Sequence, residues 1–387
     1  MRLPVFSTTL PLLDTGPKSI AAVRVLRISV TDRCNFRCVY CMPEEGVRWL
    51  PKEDILSFEE IADVVKAAIE VHGIRRFKLT GGEPTLRHGI VDLVRMLRRI
   101  EGIEDLSLTT NGFLLEDLAG ALKESGLDRV TVSIDSLRAD RFKRITRTGD
   151  LATVMNGLER AEDVGLLPLK VNCVTMRGTN DDELVDFAKL SIERQLTVRF
   201  IEYMPLGDAA LLRLQEDRRT EVRPPNADQQ ADFSPPVKVD SSEVGPAGGC
   251  GAQDRGADAL IPENEVRDTI ERELGPLLPV EPETEAGVGP AKVFALAKGN
   301  PKGRVGFISA MSAPFCSTCN RLRLTANGIL RSCLFEGGEV DIRPILRTSA
   351  ASRERQRAVA QAMTDCVRLK PDVHSHRGKE QMSRIGG

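Results

Sequence analysis

Histidine is scarce in this chain, with four residues in 387. None lies near the clustered cysteines in sequence, which argues against acid–base chemistry built on histidine. No apolar run approaches the roughly 18 residues that a membrane span needs. The first thirty residues lack the apolar core of a secretory signal, "TTLPLL" being too short. The first thirteen carry no acid, so a transit peptide stays open. A formal net charge of −2 gives no global attraction to nucleic acid or to a membrane surface. The expectation is a cytoplasmic protein with neither as partner.

One more absence is local. Cysteines come in threes where metal sites built on cysteine ordinarily use four. Six of the nine fall in two tight groups, Cys34, Cys38, Cys41 and Cys316, Cys319, Cys333, while Cys173, Cys250 and Cys366 stand alone. In a reducing compartment such groups hold metal rather than pair as disulfides. A closed structural zinc site takes four ligands. An iron–sulfur cluster that only transfers electrons also takes four. Three thiolates leave one iron open to a small molecule. The zinc alternative would need a fourth ligand from Asp32 or elsewhere.

What is present is globular: 41% hydrophobic and 28% charged residues, enough for a sizeable core in one large or two ordinary domains. Six β-like runs alternate with helical ones: 23–30, 75–80, 105–110, 129–134, 169–175 and 197–202. The first helix carries a capping-box pair, Ser57 and Glu60, an apolar face of Ile61, Val64, Val65 and Ala68, and Gly73 as a stop. Further helices are expected over 87–100, 113–125, 151–164 and 181–194. Such alternation predicts a parallel sheet with helices outside. Six units fall two short of a full barrel, so the fold class expected is α/β: a partial (βα)6 barrel of the TIM type over 20–206, after a flexible lead-in of 1–19.

From 207 to 258 the pattern stops. Eleven Gly plus Pro and one aromatic in that stretch cannot bury enough apolar surface to offset ordering, so 207–261 is expected to be a disordered insertion. Short strands resume in "AKVFALA", "RVGFIS", "RLRLT" and "GILRSC", predicting a small C-terminal β-containing domain over 262–350. Asn327-Gly328 signals a hairpin. A turn centred there sets Cys333 roughly opposite Leu322, near Cys319. A basic tail over 351–387 ends in Gly-Gly.

Cys-x3-Cys-x2-Cys with Tyr40 before the third cysteine is similar to the radical S-adenosylmethionine signature. "TGGEP" (80–84), "TTNG" (109–112), "SIDS" (133–136), Lys170 and "EYMP" (202–205) gather at or near strand ends, where barrel enzymes build their sites. The glycines of "TGGEP" let backbone approach a ligand closely. The second triad, in "FCSTCNRLRLTANGILRSC" (315–333), resembles the C-terminal motif of the GTP 3′,8-cyclase family of molybdenum cofactor biosynthesis, as does the Gly-Gly end. The likeness covers roughly 20–206 and 262–350 and the tail.

The resemblance implies two [4Fe–4S] clusters, one on Cys34, Cys38 and Cys41 and one on Cys316, Cys319 and Cys333. It implies S-adenosylmethionine as cofactor, bound by Tyr40, Gly82, Ser133 and Met204. GTP would meet Arg27, Lys78, Thr109, Lys170, Arg321, Leu322 and Arg323, and Gly386 and Gly387 would act in catalysis. Lys78 departs from the arginine usual at its position. The implied reaction takes hydrogen from ribose C3′ with a deoxyadenosyl radical and joins C3′ to guanine C8. Implied partners are a reductant such as flavodoxin or ferredoxin, a cyclic pyranopterin monophosphate synthase acting downstream, and a second copy in a homodimer. Two alternatives remain open: another radical enzyme with an auxiliary cluster, such as a peptide maturase, and an iron–sulfur scaffold or electron carrier.

Overall fold

A computed structural model of the chain describes residues 16–206, 259–281, 289–297, 303–335, 337–375 and 382–385. The expected insertion, Gly386 and Gly387 lie outside these, but for the insertion's last three residues, 259–261. Six strands, β1 (Val25–Ser29), β2 (Arg76–Thr80), β3 (Asp105–Thr110), β4 (Arg129–Ser133), β5 (Lys170–Thr175) and β6 (Thr197–Glu202), pair in sequence order and in parallel. Helices α1 (Phe58–His72), α2 (Ile90–Arg98), α3 (Leu115–Glu124), α4 (Ala139–Thr146), α5 (Leu151–Asp163) and α6 (Leu184–Glu193) form the crossovers. The local chemistry is as expected for α1: Ser57 and Glu60 close a capping box, and Gly73 ends the helix at φ +65°. Helix α4 is an addition, its "ADRFKRIT" being too polar to announce itself.

The C-terminal strands continue the same sheet. After α7 (Glu263–Leu274), β7 (Leu277–Pro279), β8 (Lys292–Leu296) and β9 (Arg304–Ile308) extend one edge, with β9 parallel to β6. On the other edge β10 (Arg321–Leu324) lies parallel to β1, followed antiparallel by β11 (Ile329–Arg331) and β12 (Glu339–Asp341). The order is β12-β11-β10-β1-β2-β3-β4-β5-β6-β9-β8-β7, so eight consecutive strands are parallel. Short α8 (Arg343–Leu346) leads into α9 (Ser352–Arg368), and α10 (Met382–Ile385) follows. The segment expected as a basic tail thus contains a 17-residue helix, which buries Val359, Met363 and Val367 and packs on α1. Its apolar stripe is confined to the second half, behind a first turn and a half rich in arginine, which hid it in the sequence.

Strand alternation divides the sheet's two faces. Leu26, Ile28, Phe77, Leu79, Val130, Val132, Leu322 and Leu324 are fully buried in the helix-side core. Between them Arg27, Lys78, Thr109, Ser133, Asn172, Arg199 and Arg323 face an inner cavity. Barrel interiors are ordinarily filled with layers of branched apolar residues. This one is polar.

Candidate functional site

The cavity has a volume of about 290 Å³ and is lined from all eight parallel strands, with all six clustered cysteines in its wall. The first triad rides the loop after β1. Several bonds fix that loop. Asp32 accepts from the Leu50 N–H at 2.6 Å, and Arg37 donates to the Cys34 and Phe36 carbonyls at 2.7 and 2.9 Å. The Arg37 and Val39 N–H groups donate to Thr146 and Ile145 in α4. Gly81 and Gly82 pack against the same loop. A Cβ on Gly82 would stand 2.5 Å from the carbonyl oxygens of Asp32 and Arg33. The glycine pair therefore serves the cysteine loop's own backbone as well as lining the cavity.

Two buried carboxylates organise this end. Glu83 accepts from Thr85, Thr110 and the Asn111 N–H. Asp135 accepts from Tyr40 Oη at 2.7 Å and from the Val174 N–H at 2.8 Å. Burial pushes Asp135 up to about 6. Burial, then Glu83, pushes the Cys34 thiol up to about 12; burial, then Asp135, raises Cys38 as well. Asp32 is committed to Leu50. Among the described residues no three His, Cys, Asp or Glu side chains converge on one metal ion. A zinc site needs its sulfurs within about 4 Å of one another. A cluster takes one thiolate per iron, and three cysteines in one cavity wall are the donor set of an iron–sulfur cluster with one iron open, so the residues present fit such a group.

The second triad is built differently. Cys316 opens a 3-10 turn (Cys316–Thr318), Cys319 precedes β10, and Cys333 follows β11. The register pairs Arg323 with Arg331 and Leu324 with Leu330. Carried on, it sets Cys333 opposite Arg321, one residue from the expected Leu322. The cause is the turn. The Gly328 N–H bonds the Thr325 carbonyl, and Gly328 at φ +82° makes a bulge instead of a two-residue turn. Burial alone would raise Cys319, but Arg321 and Lys370 outweigh it, and its thiol is held below the ordinary value. The Arg321 Nη2 lies 3.9 Å from its sulfur, and Lys370 donates to the Cys319 carbonyl at 3.1 Å.

Cations stand between the triads. Arg323, Arg27 and Lys78 are side by side in register across β10, β1 and β2. Arg199, on β6, and Lys78 both donate to the single hydroxyl of Thr131, at 3.3 and 3.4 Å. Burial and then neighbouring cations push all four below their ordinary values. The cavity's carboxylates, Glu83 and Asp135, are spent on the bonds above. A buried row of like charges facing one cavity is chemically suited to a polyanion.

Of the residues expected to bind S-adenosylmethionine, Tyr40, Gly82, Ser133 and Met204 all line the cavity. So do Arg27, Lys78, Thr109, Arg321 and Arg323 from the nucleotide set. Lys170 is buried outside the lining, near enough to Lys78 to lower it. Leu322 points into the helix-side core. Arg199 escaped the sequence reading because a lone arginine in "TVRFIE" reads as an edge charge. His374, distant in sequence from both triads, also reaches the wall, stacked on Phe335 with ring centroids 4.1 Å apart. Of α10, Met382 and Ser383 line the cavity too.

The family model "Radical SAM superfamily" matches residues 28–191, and "Molybdenum Cofactor Synthesis C" matches 242–376. A GTP 3′,8-cyclase of Pelotomaculum thermopropionicum is 46% identical, over 94% of this chain and 98% of that one. One of Thermodesulfovibrio yellowstonii is 41% identical over 94% and 97%. The solved structure of Streptococcus suis SuiB bound to S-adenosylmethionine aligns at 14% identity with a TM-score of 0.46, covering 81% of this chain and 60% of that one. With such identity along nearly its whole length, this chain belongs to the GTP 3′,8-cyclase family of radical S-adenosylmethionine enzymes.

Proposed function

We propose that the chain is a GTP 3′,8-cyclase, a lyase that converts GTP to 3′,8-cyclo-7,8-dihydro-GTP at the first step of molybdenum cofactor biosynthesis. The single observation that carries this is one cavity holding a row of buried cations between two cysteine triads. The enzyme uses an iron–sulfur cluster and S-adenosylmethionine. When bound, these supply the radical chemistry that joins ribose C3′ to guanine C8.

The chain's own residues bind, orient and exclude water. Cys34, Cys38 and Cys41 would hold one [4Fe–4S] cluster, with Tyr40, Gly82, Ser133 and Met204 around S-adenosylmethionine. Cys316, Cys319 and Cys333 would hold a second. Arg27, Lys78, Arg199 and Arg323 would take the triphosphate, arginine by bidentate contacts and Lys78 as a point charge. Thr109 and Arg321 line the same space, and Lys170 would add charge from behind. Gly386 and Gly387, next after α10, would complete the site. Electrons would come from a reductant such as flavodoxin or ferredoxin, and the product would pass to a cyclic pyranopterin monophosphate synthase. A homodimer is compatible with this reading. Anaerobic turnover with GTP, S-adenosylmethionine and dithionite tests it: cyclo-GTP and deoxyadenosine should form together. Clusters that assemble without deoxyadenosine release would point to a scaffold or carrier instead.

A further inference from the structure

Ser383 is 2% exposed, lines the cavity, and its Oγ has no hydrogen-bond partner. Its position is held from several sides. Ile385, in the same short helix, is buried in an apolar cluster with Leu206, Ala310 and Phe335, against which Met382 also packs. Arg384 donates to the Arg48 carbonyl at 3.0 Å, tying the helix to the loop of the first triad. A hydroxyl shut away from water without a partner costs the fold free energy. Alanine would fill the same place at no such cost. The side chain is accounted for by a partner that arrives from the cavity.

Cys333, Leu334 and Phe315, from the second triad's surroundings, pack against the same cluster. The first triad's Cys34 and Cys38 pack elsewhere, on the main core. Met204, from the S-adenosylmethionine set, packs on this cluster too, so Ser383 stands where the two ligand regions meet, with Cys333, Leu334 and Phe315 placing it against the region where the functional reading seats the nucleotide. We propose that Ser383 contacts the substrate, its hydroxyl hydrogen-bonding the nucleoside of GTP. The contact rests on the cyclase reading and adds to it a residue delivered by the chain's C-terminal segment. A hydroxyl both donates and accepts, which suits the mixed polar edge of a purine or a ribose.

The test is Ser383→Ala in the reconstituted holoenzyme, with GTP and S-adenosylmethionine affinities each measured by anaerobic equilibrium dialysis. The melting temperature is measured without either ligand. GTP affinity should fall about three- to ten-fold, the worth of one neutral hydrogen bond. S-adenosylmethionine affinity should stay within about two-fold, and melting should stay or rise, since an unsatisfied buried group has gone. Unchanged GTP affinity overturns the proposal. So does an equal loss for both ligands with lowered melting, which would make Ser383 part of the wall's packing. Failure of the unaltered holoenzyme to bind GTP would overturn the cyclase reading itself, and is seen before the variant is made.

Discussion

Cys34 and Cys319 line one cavity, yet burial and Glu83 push the first thiol up to about 12, while Arg321 and Lys370 hold the second below its ordinary value. The first triad lies on a loop tied through Tyr40 to the buried Asp135, and burial with Glu83 and Asp135 raises its Cys34 and Cys38 thiols. There the bound iron must supply the charge that makes three thiolates stable. Cys319 of the second triad lies beside arginine and lysine, so its anionic form is favoured before any metal arrives. Arg321 also lines the cavity that holds the cation row. One end of the cavity thus carries anions fixed in the protein, and the other, in the proposed function, would receive an anion that comes and goes.

The largest way to break this contrast is at Glu83. Glu83→Gln keeps the volume but turns an acceptor into a donor against Thr110 or the Asn111 N–H. We expect a loss of about 2–4 kcal/mol in unfolding free energy, since a buried network is left partly unsatisfied. Iron content should fall toward half, with the second triad's cluster retained. Chemical denaturation and iron counting check this, and full iron at both sites would mean the first loop stands without its carboxylate.

The cation row should respond next. Arg323→Ala should weaken GTP by about 1.5–3 kcal/mol while sparing S-adenosylmethionine. Lys78 sharpens the point, because its ammonium is lowered by burial and then by Arg199 and Arg27. A triphosphate would reverse the sign of that environment and raise Lys78. GTP binding should therefore take up protons at pH values above the free lysine's lowered pKa, and the uptake should vanish in Lys78→Met. Calorimetry in buffers of different ionisation heat measures it. Proton release, or equal uptake in the variant, would remove Lys78 from the nucleotide site.

The smallest effect compares the thiols themselves. In metal-free protein at about pH 8, iodoacetamide should label Cys319 several-fold faster than Cys34 or Cys38, because thiolate is the reactive form. Peptide mapping over time reads the order. Equal rates would mean that the electrostatic contrast does not reach the sulfurs.

Much of this was legible in the sequence, for reasons that differ by element. The six parallel strands announced themselves as apolar runs ended by turn residues, and α1 by its capping box and Gly73. Cysteine spacing marked both triads, because that chemistry needs fixed intervals. What stayed hidden depends on contacts between distant segments. Nothing local in "RLRLT" says that it pairs with β1, nor in "RVGFIS" that it pairs with β6. Arg199 acquires meaning only beside Lys78 and Thr131. The polar stretches of α4 and α9 become helical through what they pack against, α9 on α1 and α4 on the first cysteine loop. A bulge at Gly328 moved one pairing by a residue, which a dipeptide signal cannot foresee.

The pairing of β10 with β1 also bears on how the protein is made. Residues 25–28 find their partner at 321–324, close to 300 residues later in synthesis. Until the ribosome has delivered those residues, β1 presents an open edge, with the first cysteine loop beyond it. Edges of this kind invite pairing with other chains, and such distant contacts form slowly. The nascent protein therefore spends most of its translation with one flank of the sheet unclosed. The stretch that closes that flank is followed, about sixty residues on, by Ser383 at the cavity wall, so both the sheet's closure and this part of the chamber wait on residues made late.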